Sequence, residues 1–183
     1  RSLVGNFLSA VSGGALYRKA SFLLDHIDKR VFPDFVQISE RPHLLRGQGS
    51  AAFDAEGVAT RDSDLVRDGR LARYILGSYS ARKLGLESTG NAGGIHNLVA
   101  NANAGDFADL VSRMGSGLVV TELMGQGVNL VTGDYSRGAA GFWVENGRIQ
   151  YPVHEITIAG NLRSMFQGIG AVGSDTYTMG SKT

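Results

Sequence analysis

The segment Gly141-Phe-Trp-Val-Glu-Asn-Gly-Arg-Ile-Gln-Tyr-Pro-Val-His-Glu-Ile-Thr-Ile158 decides the fold class of this chain. Its central dipeptide, Asn146-Gly147, is a preferred two-residue hairpin turn, because both positions require a positive φ angle. The aromatic and β-branched residues on either side favour extended strands. We therefore predict an antiparallel hairpin with strands Gly141–Glu145 and Arg148–Ile158, in which Pro152 lies at a sheet edge or in a bulge.

A second dipeptide of the same kind, Asp68-Gly69, predicts another hairpin earlier in the chain. Its strands would be Asp64–Arg67 and Arg70–Ser78. Further segments have the composition of strands, namely Phe35–Ser39, Gly117–Glu122 and Val128–Thr132.

Helices are predicted where apolar residues recur at spacings of three and four, or where a short segment ends at glycine. Asp106 and Asn161 are suited to cap two of them, because their short side chains accept hydrogen bonds from free backbone amides. The predicted helices are Ser2–Ser12 before Gly13-Gly14, Ser80–Leu84 before Gly85, Phe107–Met114 before Gly115, and Leu162–Ile169.

The order of these elements indicates the fold class. Strands joined by hairpins, with a few short helices that do not alternate with them, predict an antiparallel-rich α+β domain rather than a doubly wound parallel sheet. No linker interrupts residues 1–183, so we predict a single domain. The chain opens on Arg1 and enters a helical pattern at once, which predicts that it is a piece of a longer protein.

The composition excludes several classes of function. Glycine contributes 26 of 183 residues, and cysteine is absent, so a disulfide framework, a thiolate metal site and a cysteine nucleophile are excluded. The 18 basic residues nearly balance the 17 acidic ones, which argues against nucleic acid as a partner. No run of apolar residues approaches the length of a membrane span, so we expect no membrane partner.

Three short motifs lack the context that their chemistry requires. Gly168-Ile-Gly-Ala-Val-Gly173 matches the dinucleotide fingerprint, but it follows a predicted helix where the fingerprint requires a strand. His154-Glu155 begins like a zinc-protease motif, yet no second histidine follows, and neighbouring side chains in a strand face opposite ways. Asp134-Tyr-Ser-Arg-Gly138 has aspartate where the nucleophile elbow requires glycine.

Polar groups are nevertheless concentrated in two loops. His96 lies in a glycine-rich turn beside Asn97. Glu122 follows an apolar run, where it could pair with Arg137 or face solvent. The segment Thr132–Gly141 predicts either a tight turn with a bulge or a surface that contacts a peptide, because glycine lets another backbone approach closely.

Three long segments carry a specific resemblance to one family. They are Ser78–Asn97, which contains Ser88-Thr-Gly-Asn-Ala-Gly-Gly-Ile-His-Asn97, together with Gly117–Gly127 and Thr132–Leu162. The opening segment Val4–Asp25 fits as well. Together these segments resemble the C-terminal half of the TldD/PmbA family of metallopeptidases, and the resemblance covers nearly the whole chain.

This resemblance implies the C-terminal domain of a longer, two-domain cytoplasmic protein, with further strand-forming sequence after Thr183. It implies a peptidase in which a TldD-type subunit and a PmbA-type subunit form a heterodimer that degrades unfolded peptides. Implied biological roles are the maturation of a peptide antibiotic and the turnover of an antitoxin.

In the TldD-type subunit, the resemblance implies a zinc-binding helix with the pattern H-E-x-x-x-H and a cysteine near the C-terminus. That motif would fall near Asn6, Phe7 and Val11, none of which forms a competent ligand set. We therefore expect the non-catalytic PmbA-type subunit, with no catalytic or metal-binding residue and no cofactor in this chain, and zinc in its TldD-type partner. The residues expected at the partner interface or in a peptide groove are His96, Asn97, Glu122, Tyr135, Ser136 and Arg137.

An alternative function is a regulatory binding module without a peptidase role, because an older name for the family is modulator of DNA gyrase. The basic cluster that could contact DNA consists of Arg67, Arg70, Arg73, Arg82 and Lys83. The acidic Asp68 interrupts this cluster, which is also typical of a solvent-exposed hairpin edge.

Overall fold

Antiparallel pairing builds both sheets of the molecule, which a computed structural model describes over residues 2–176. The helices are α1 (Ser2–Ala10), α2 (Gly13–Tyr17), α3 (Ser78–Leu84), α4 (Phe107–Met114) and α5 (Leu162–Gln167). The strands are β1 (Ile38–Glu40), β2 (Ser63–Arg67), β3 (Arg70–Leu71), β4 (Leu98–Ala100), β5 (Gly117–Met124), β6 (Asp134–Glu145) and β7 (Arg148–Asn161). The predicted α+β class, with antiparallel sheets and a few short helices, is confirmed.

One sheet has four strands in the order β3-β2-β1-β4. Asp68 and Gly69 join β2 to β3 with φ angles of 49° and 69°, which confirms the predicted hairpin turn. The predicted strand Arg70–Ser78 was too long, because the chain leaves the sheet after Leu71. Beyond that point Ile75 makes a parallel bridge to Ser12 instead.

The other sheet has three strands in the order β5-β6-β7. Asn146 and Gly147 have φ angles of 52° and 69°, so the hairpin turn that decided the fold class is confirmed. Its strands extend well beyond the prediction, until Asp134 pairs with Asn161. Pro152 lies on β7, an edge strand, as predicted.

Two strand predictions differ from the structure. The segment Val128–Thr132 was wrongly predicted as a strand, because the side chain of Asn129 accepts hydrogen bonds from the backbone amides of Val131 and Thr132 and so folds the segment into a turn. The predicted strand Phe35–Ser39 is shifted toward the C-terminus, and β4 was not predicted.

The first predicted helix, Ser2–Ser12, is two residues shorter in the structure, and it is followed by a second helix that was not predicted. Gly13-Gly14 was expected to end it, but α1 already ends at Ala10 and α2 begins at Gly13. The side chain of Ser12 caps α2 by accepting a hydrogen bond from the amide of Ala15. Glycine is required at Gly13, since an added Cβ would lie 2.2 Å from Oγ of Ser80.

The remaining predicted helices are confirmed with their capping residues. Asp106 and Asn161 cap α4 and α5 through their side chains. Gly85 ends α3 in the left-handed conformation, at a φ angle of 68°. Helix α5 ends at Gln167, slightly earlier than predicted.

An aromatic cluster at the centre of the core joins these parts. Phe7 of α1 packs edge-on against Phe32 at 5.1 Å between ring centroids, and Phe166 of α5 lies 4.9 Å from Phe32. Tyr135 of β6 belongs to the same core, so the three-stranded sheet packs on the helices through its Asp134 end. Among residues 2–176, no helix has the length and hydrophobicity needed to cross a bilayer.

Candidate functional site

A carboxylate at the end of β1 organises a buried polar cluster. Glu40 is only 2% exposed, and its Oε2 accepts a charge-assisted hydrogen bond from Nη2 of Arg73. Its Oε1 accepts from Nδ2 of Asn91 at 2.8 Å and from the backbone amide of His96 at 2.6 Å. A buried carboxylate is tolerated when it is paired and hydrogen-bonded in this way.

The same cluster holds the glycine-rich loop 88–97, which lies between α3 and β4. Oδ1 of Asn91 accepts from Nη1 of Arg73 at 2.9 Å and from the hydroxyl of Thr89 at 2.7 Å. Nδ2 of Asn91 also donates to the carbonyl of Gly94 at 3.1 Å. Asn91 is therefore the link between the loop backbone and the buried ion pair.

Asp54 anchors this loop from a second direction. Its carboxylate accepts hydrogen bonds from the backbone amides of Ala92, Glu56 and Val58, at 2.9, 2.9 and 3.0 Å. Burial acts to raise the pKa of Asp54, but these amide donors outweigh it and hold the pKa below its usual value. The carboxylate is thus kept ionised as a fixed acceptor for the loop.

His96 and Asn97 lie at the end of the loop, where it enters β4. Nδ1 of His96 lies 3.1 Å from Oε1 of Glu40, and the side chain is 15% exposed. A carboxylate partner places the proton on Nδ1 and leaves Nε2 as an acceptor in the neutral imidazole. Asn97 donates through Nδ2 to the carbonyl of Arg41 and accepts through Oδ1 from the amide of Gly49, so it ties a neighbouring loop to β4.

The predicted residues on β6 have three different environments. Tyr135 is 3% exposed and packs in the core, so its side chain offers little surface to a partner or a peptide. Ser136 is exposed and lies beside a pocket of about 330 Å³ lined by residues 126–129 and 134–136. Arg137 is half-buried, and its Nη2 donates to the carbonyl of Leu123 at 3.1 Å.

Glu122 faces solvent on β5. It pairs in register with Ala140, and no ion pair between it and Arg137 is found in residues 2–176. Of the two alternatives left open by the sequence, the exposed carboxylate is the one observed.

The six predicted site residues therefore form two separate groups. His96 and Asn97 support the edge of the four-stranded sheet, whereas Glu122 and the β6 residues belong to the three-stranded sheet. No hydrogen bond or ion pair within the described range joins the two groups. Their role at an interface or in a groove stays a prediction.

Sequence reasoning missed the centre of the polar cluster. Ile38 and Glu40 are both buried, as alternate residues on one face of β1. Extending the predicted strand Phe35–Ser39 by one residue would have placed Glu40 on the core side. Arg73 was expected in an exposed basic cluster, but its side chain is 14% exposed and bonded to Glu40, so that part of the expectation was wrong.

The three short motifs singled out in the sequence do not lie in the structural context that their chemistry requires. Gly168 follows α5 as its C-terminal cap, where the amide donates to the carbonyl of Ser164. His154 is exposed on β7, and Glu155 lies next to it in a bulge at a φ angle of 56°. Asp134–Gly138 lies wholly within β6, which is not the strand-turn-helix of a nucleophile elbow.

The residues at the positions implied for a zinc motif, on α1 and directly after it, do not fit a zinc ion. Phe7 and Val11 are fully buried apolar side chains, and Asn6 offers only an amide. No group of three or more His, Cys, Asp or Glu side chains suited to a metal occurs in the part of the chain that the structure describes. The chemistry of these positions is therefore that of helix packing.

Comparison with known proteins identifies relatives along the whole chain. Residues 1–183 match the family model of the PmbA/TldA metallopeptidase C-terminal domain. Metalloprotease PmbA of Escherichia coli O157:H7 is 58% identical over 96% of this chain, and a PmbA homolog of Haemophilus influenzae is 59% identical over 94%. A more distant TldD homolog of Haemophilus influenzae is 24% identical over 85% of this chain and 34% of its own length.

A solved structure agrees with these sequence matches. A candidate modulator of DNA gyrase from Bacteroides thetaiotaomicron superposes with a TM-score of 0.90 at 33% identity, over 95% of this chain and 39% of its own. The chain likewise spans 39% of the length of the two PmbA relatives. The match over all residues and the high identity show that this chain belongs to the PmbA/TldA metallopeptidase C-terminal domain family.

Proposed function

We propose that this domain is part of a non-catalytic PmbA-type subunit, which pairs with a zinc-bearing TldD-type subunit and forms one wall of the cavity where unfolded peptides are cleaved. The observation that carries the proposal is the segment of α1 and the turn after it, in which Asn6, Phe7 and Val11 stand where the resemblance places a zinc motif. The high identity with proteins named metalloprotease PmbA supports the association with a peptidase.

The three-stranded sheet suits a wall that contacts extended peptides. Its outer strands β5 and β7 each have one edge that pairs with no strand in residues 2–176. An exposed edge recognises a peptide through main-chain hydrogen bonds, which makes the recognition tolerant of sequence. Such tolerance is what degradation of unfolded chains requires.

The wider assignment extends what the resemblance to the family implies. The subunit would act in the cytoplasm as one half of a heterodimer, with zinc held by the TldD-type partner. Its substrates would include a peptide-antibiotic precursor and an antitoxin.

The experiment measures cleavage of an unfolded protein such as casein by the full-length subunit, by the TldD-type subunit and by their mixture. We expect cleavage by the mixture, its loss with a chelator, and its return with zinc. Metal analysis of the separate subunits should find zinc in the TldD-type subunit. Zinc-dependent cleavage by the full-length PmbA-type subunit alone, or stoichiometric zinc in it, would contradict the proposal.

A second candidate function, a regulatory binding module that acts on another macromolecule, is favoured by the name of the Bacteroides neighbour. Direct contact with DNA is disfavoured by the balanced charge of the chain and by the pairing of Arg73 with Glu40. Binding of labelled duplex DNA at low salt, weakening as salt increases, would support this alternative. Absence of binding at low salt would rule out direct DNA contact.

A further inference from the structure

Arg137 carries a charge that the described residues leave without a counter-ion. Its Nη2 donates to the carbonyl of Leu123 at 3.1 Å, and its Nη1 lies 3.4 Å from Oγ of Ser2. Its Nε is buried and has no acceptor within residues 2–176. No Asp or Glu in this range pairs with it. Partly buried charges are normally paired, so this guanidinium is unusual.

A second unpartnered donor lies on the same helix face as Ser2. Asn6 follows Ser2 by four residues on α1, which places the two side chains next to each other. Nδ2 of Asn6 is buried and, like Nε of Arg137, has no acceptor among residues 2–176. Because Ser2 contacts Arg137, the face of α1 that carries Ser2 and Asn6 lies next to β6, and we call this region the α1–β6 junction.

The chemistry of this junction selects its ligand. Nε of Arg137 and Nδ2 of Asn6 are both N–H donors without an acceptor in residues 2–176, so a group that satisfies them must be an acceptor. The positive charge of Arg137 favours an anion, and the planar guanidinium matches a carboxylate in shape. A metal cation would be repelled by the same charge.

We propose that the α1–β6 junction is a carboxylate-binding site, in which Arg137 and Asn6 hold the C-terminal carboxylate of an extended peptide. The choice of a peptide as ligand rests on the proposed function. It is supported by β5, an edge strand that ends at Met124, one residue beyond the Leu123 carbonyl that Arg137 contacts. A peptide running parallel to this edge would bring its C-terminus to the guanidinium.

The test compares two forms of one labelled, unstructured peptide without acidic side chains, one with a free C-terminal carboxylate and one amidated. Their binding to the full-length wild-type subunit is measured by fluorescence anisotropy without the TldD-type subunit. We expect the free acid to bind more tightly, by on the order of tenfold. This comparison needs no substitution, so it is independent of any folding defect in a variant.

Substitutions then test whether the preference for the free acid depends on the α1–β6 junction. Arg137→Gln should abolish the preference for the free acid, and Asn6→Ala should reduce it. Arg137→Lys should retain part of it, because the charge stays while the planar fork is lost. The matched control is Arg148→Gln, which removes an equal charge from the exposed turn end of β7 and should leave the preference unchanged.

The proposal is overturned if the wild-type subunit binds acid and amide equally, or binds neither. Either result is expected if water or another carboxylate of the full-length chain satisfies Arg137. It is also overturned if Arg148→Gln removes the preference as fully as Arg137→Gln. The assay involves neither cleavage nor zinc, so its failure is distinguishable from failure of the proposed function. A preference for the acid can persist without a peptidase role, and zinc-dependent cleavage by the mixture can be observed without such a preference.

Discussion

The backbone amide of His96 donates to Oε1 of Glu40 across 2.6 Å, although 56 positions separate the two residues in the chain. A single carboxylate on β1 therefore fixes the point at which the loop 88–97 enters β4. Because the same carboxylate also bonds Arg73 and Asn91, one substitution should release several contacts together.

Glu40→Gln is expected to loosen this loop and destabilise the protein. It leaves the guanidinium of Arg73 buried without its counter-ion, a change that typically costs about 3–5 kcal/mol in the free energy of unfolding. Hydrogen exchange of the full-length protein should become faster in residues 88–97. The exposed Glu145→Gln is the control, and unchanged exchange in Glu40→Gln would contradict the assigned role.

Asp54 should make the stability of the protein depend on pH in the acidic range. Folding lowers the pKa of Asp54, so the ionised carboxylate stabilises the folded protein. This stabilisation is complete above the unfolded pKa of about 4 and is lost as the pH falls through the folded pKa. The difference in Tm between wild type and Asp54→Asn should therefore be largest near neutral pH and shrink below about pH 4. Asp62→Asn serves as an exposed control, and a difference that stays constant down to pH 3 would argue against this linkage.

The neighbouring glycines Gly13 and Gly14 should respond differently to alanine. A Cβ at Gly13 would lie 2.2 Å from Oγ and 2.4 Å from Cβ of Ser80, which forces α2 and α3 apart. Overpacking of this kind costs about 1–3 kcal/mol, so Gly13→Ala should lower the Tm. At Gly14 the nearest atom is the flexible end of Arg18 at 3.3 Å, and alanine there should be tolerated. Equal Tm values for the two variants would contradict the observed close approach of α2 and α3.

A second glycine pair tests the packing of β5 on β6. A Cβ at Gly141 would lie 1.9 Å from the carbonyl oxygen of Val119, whereas one at Gly138 would lie 3.5 Å from Cβ of Met124. Gly141→Ala should therefore disrupt pairing with β5, and Gly138→Ala should not. Amide hydrogen exchange across Gly117–Met124 measures the effect. Protection that survives in Gly141→Ala would show that the strands adjust without separating.

Local signals explain which parts of the fold could be predicted. Asn146-Gly147 requires positive φ angles whatever surrounds it, so the hairpin was found from a dipeptide. The extension of β6 back to Asp134 was missed, because its glycine and alanine residues have low strand propensity and become strand only by pairing on both sides. Helix α2 was missed because Gly13 serves close packing rather than helix termination.

The candidate site was less predictable, because its contacts join residues that are far apart in the chain. The sequence identified His96 and Asn97 as unusual, but their partner Glu40 becomes apparent only when β1 and β4 pair. Arg137 was likewise selected, yet its contact with Ser2 joins residues 135 positions apart. No local pattern encodes contacts of that range.

The two sheets also differ in how far apart in the chain their paired strands lie, and therefore in how long a strand waits for its partner during synthesis. The β6–β7 hairpin is closed by a two-residue turn, so it can form as soon as both strands have been synthesised. Ile38 of β1, in contrast, pairs with Ala100 of β4, across about sixty residues of intervening chain. During translation Glu40 can therefore gain its hydrogen bonds from Asn91 and His96 only after their segment has left the ribosome, later than its partner Arg73. Until then the half-built four-stranded sheet exposes an unpaired strand of the kind that chaperones protect.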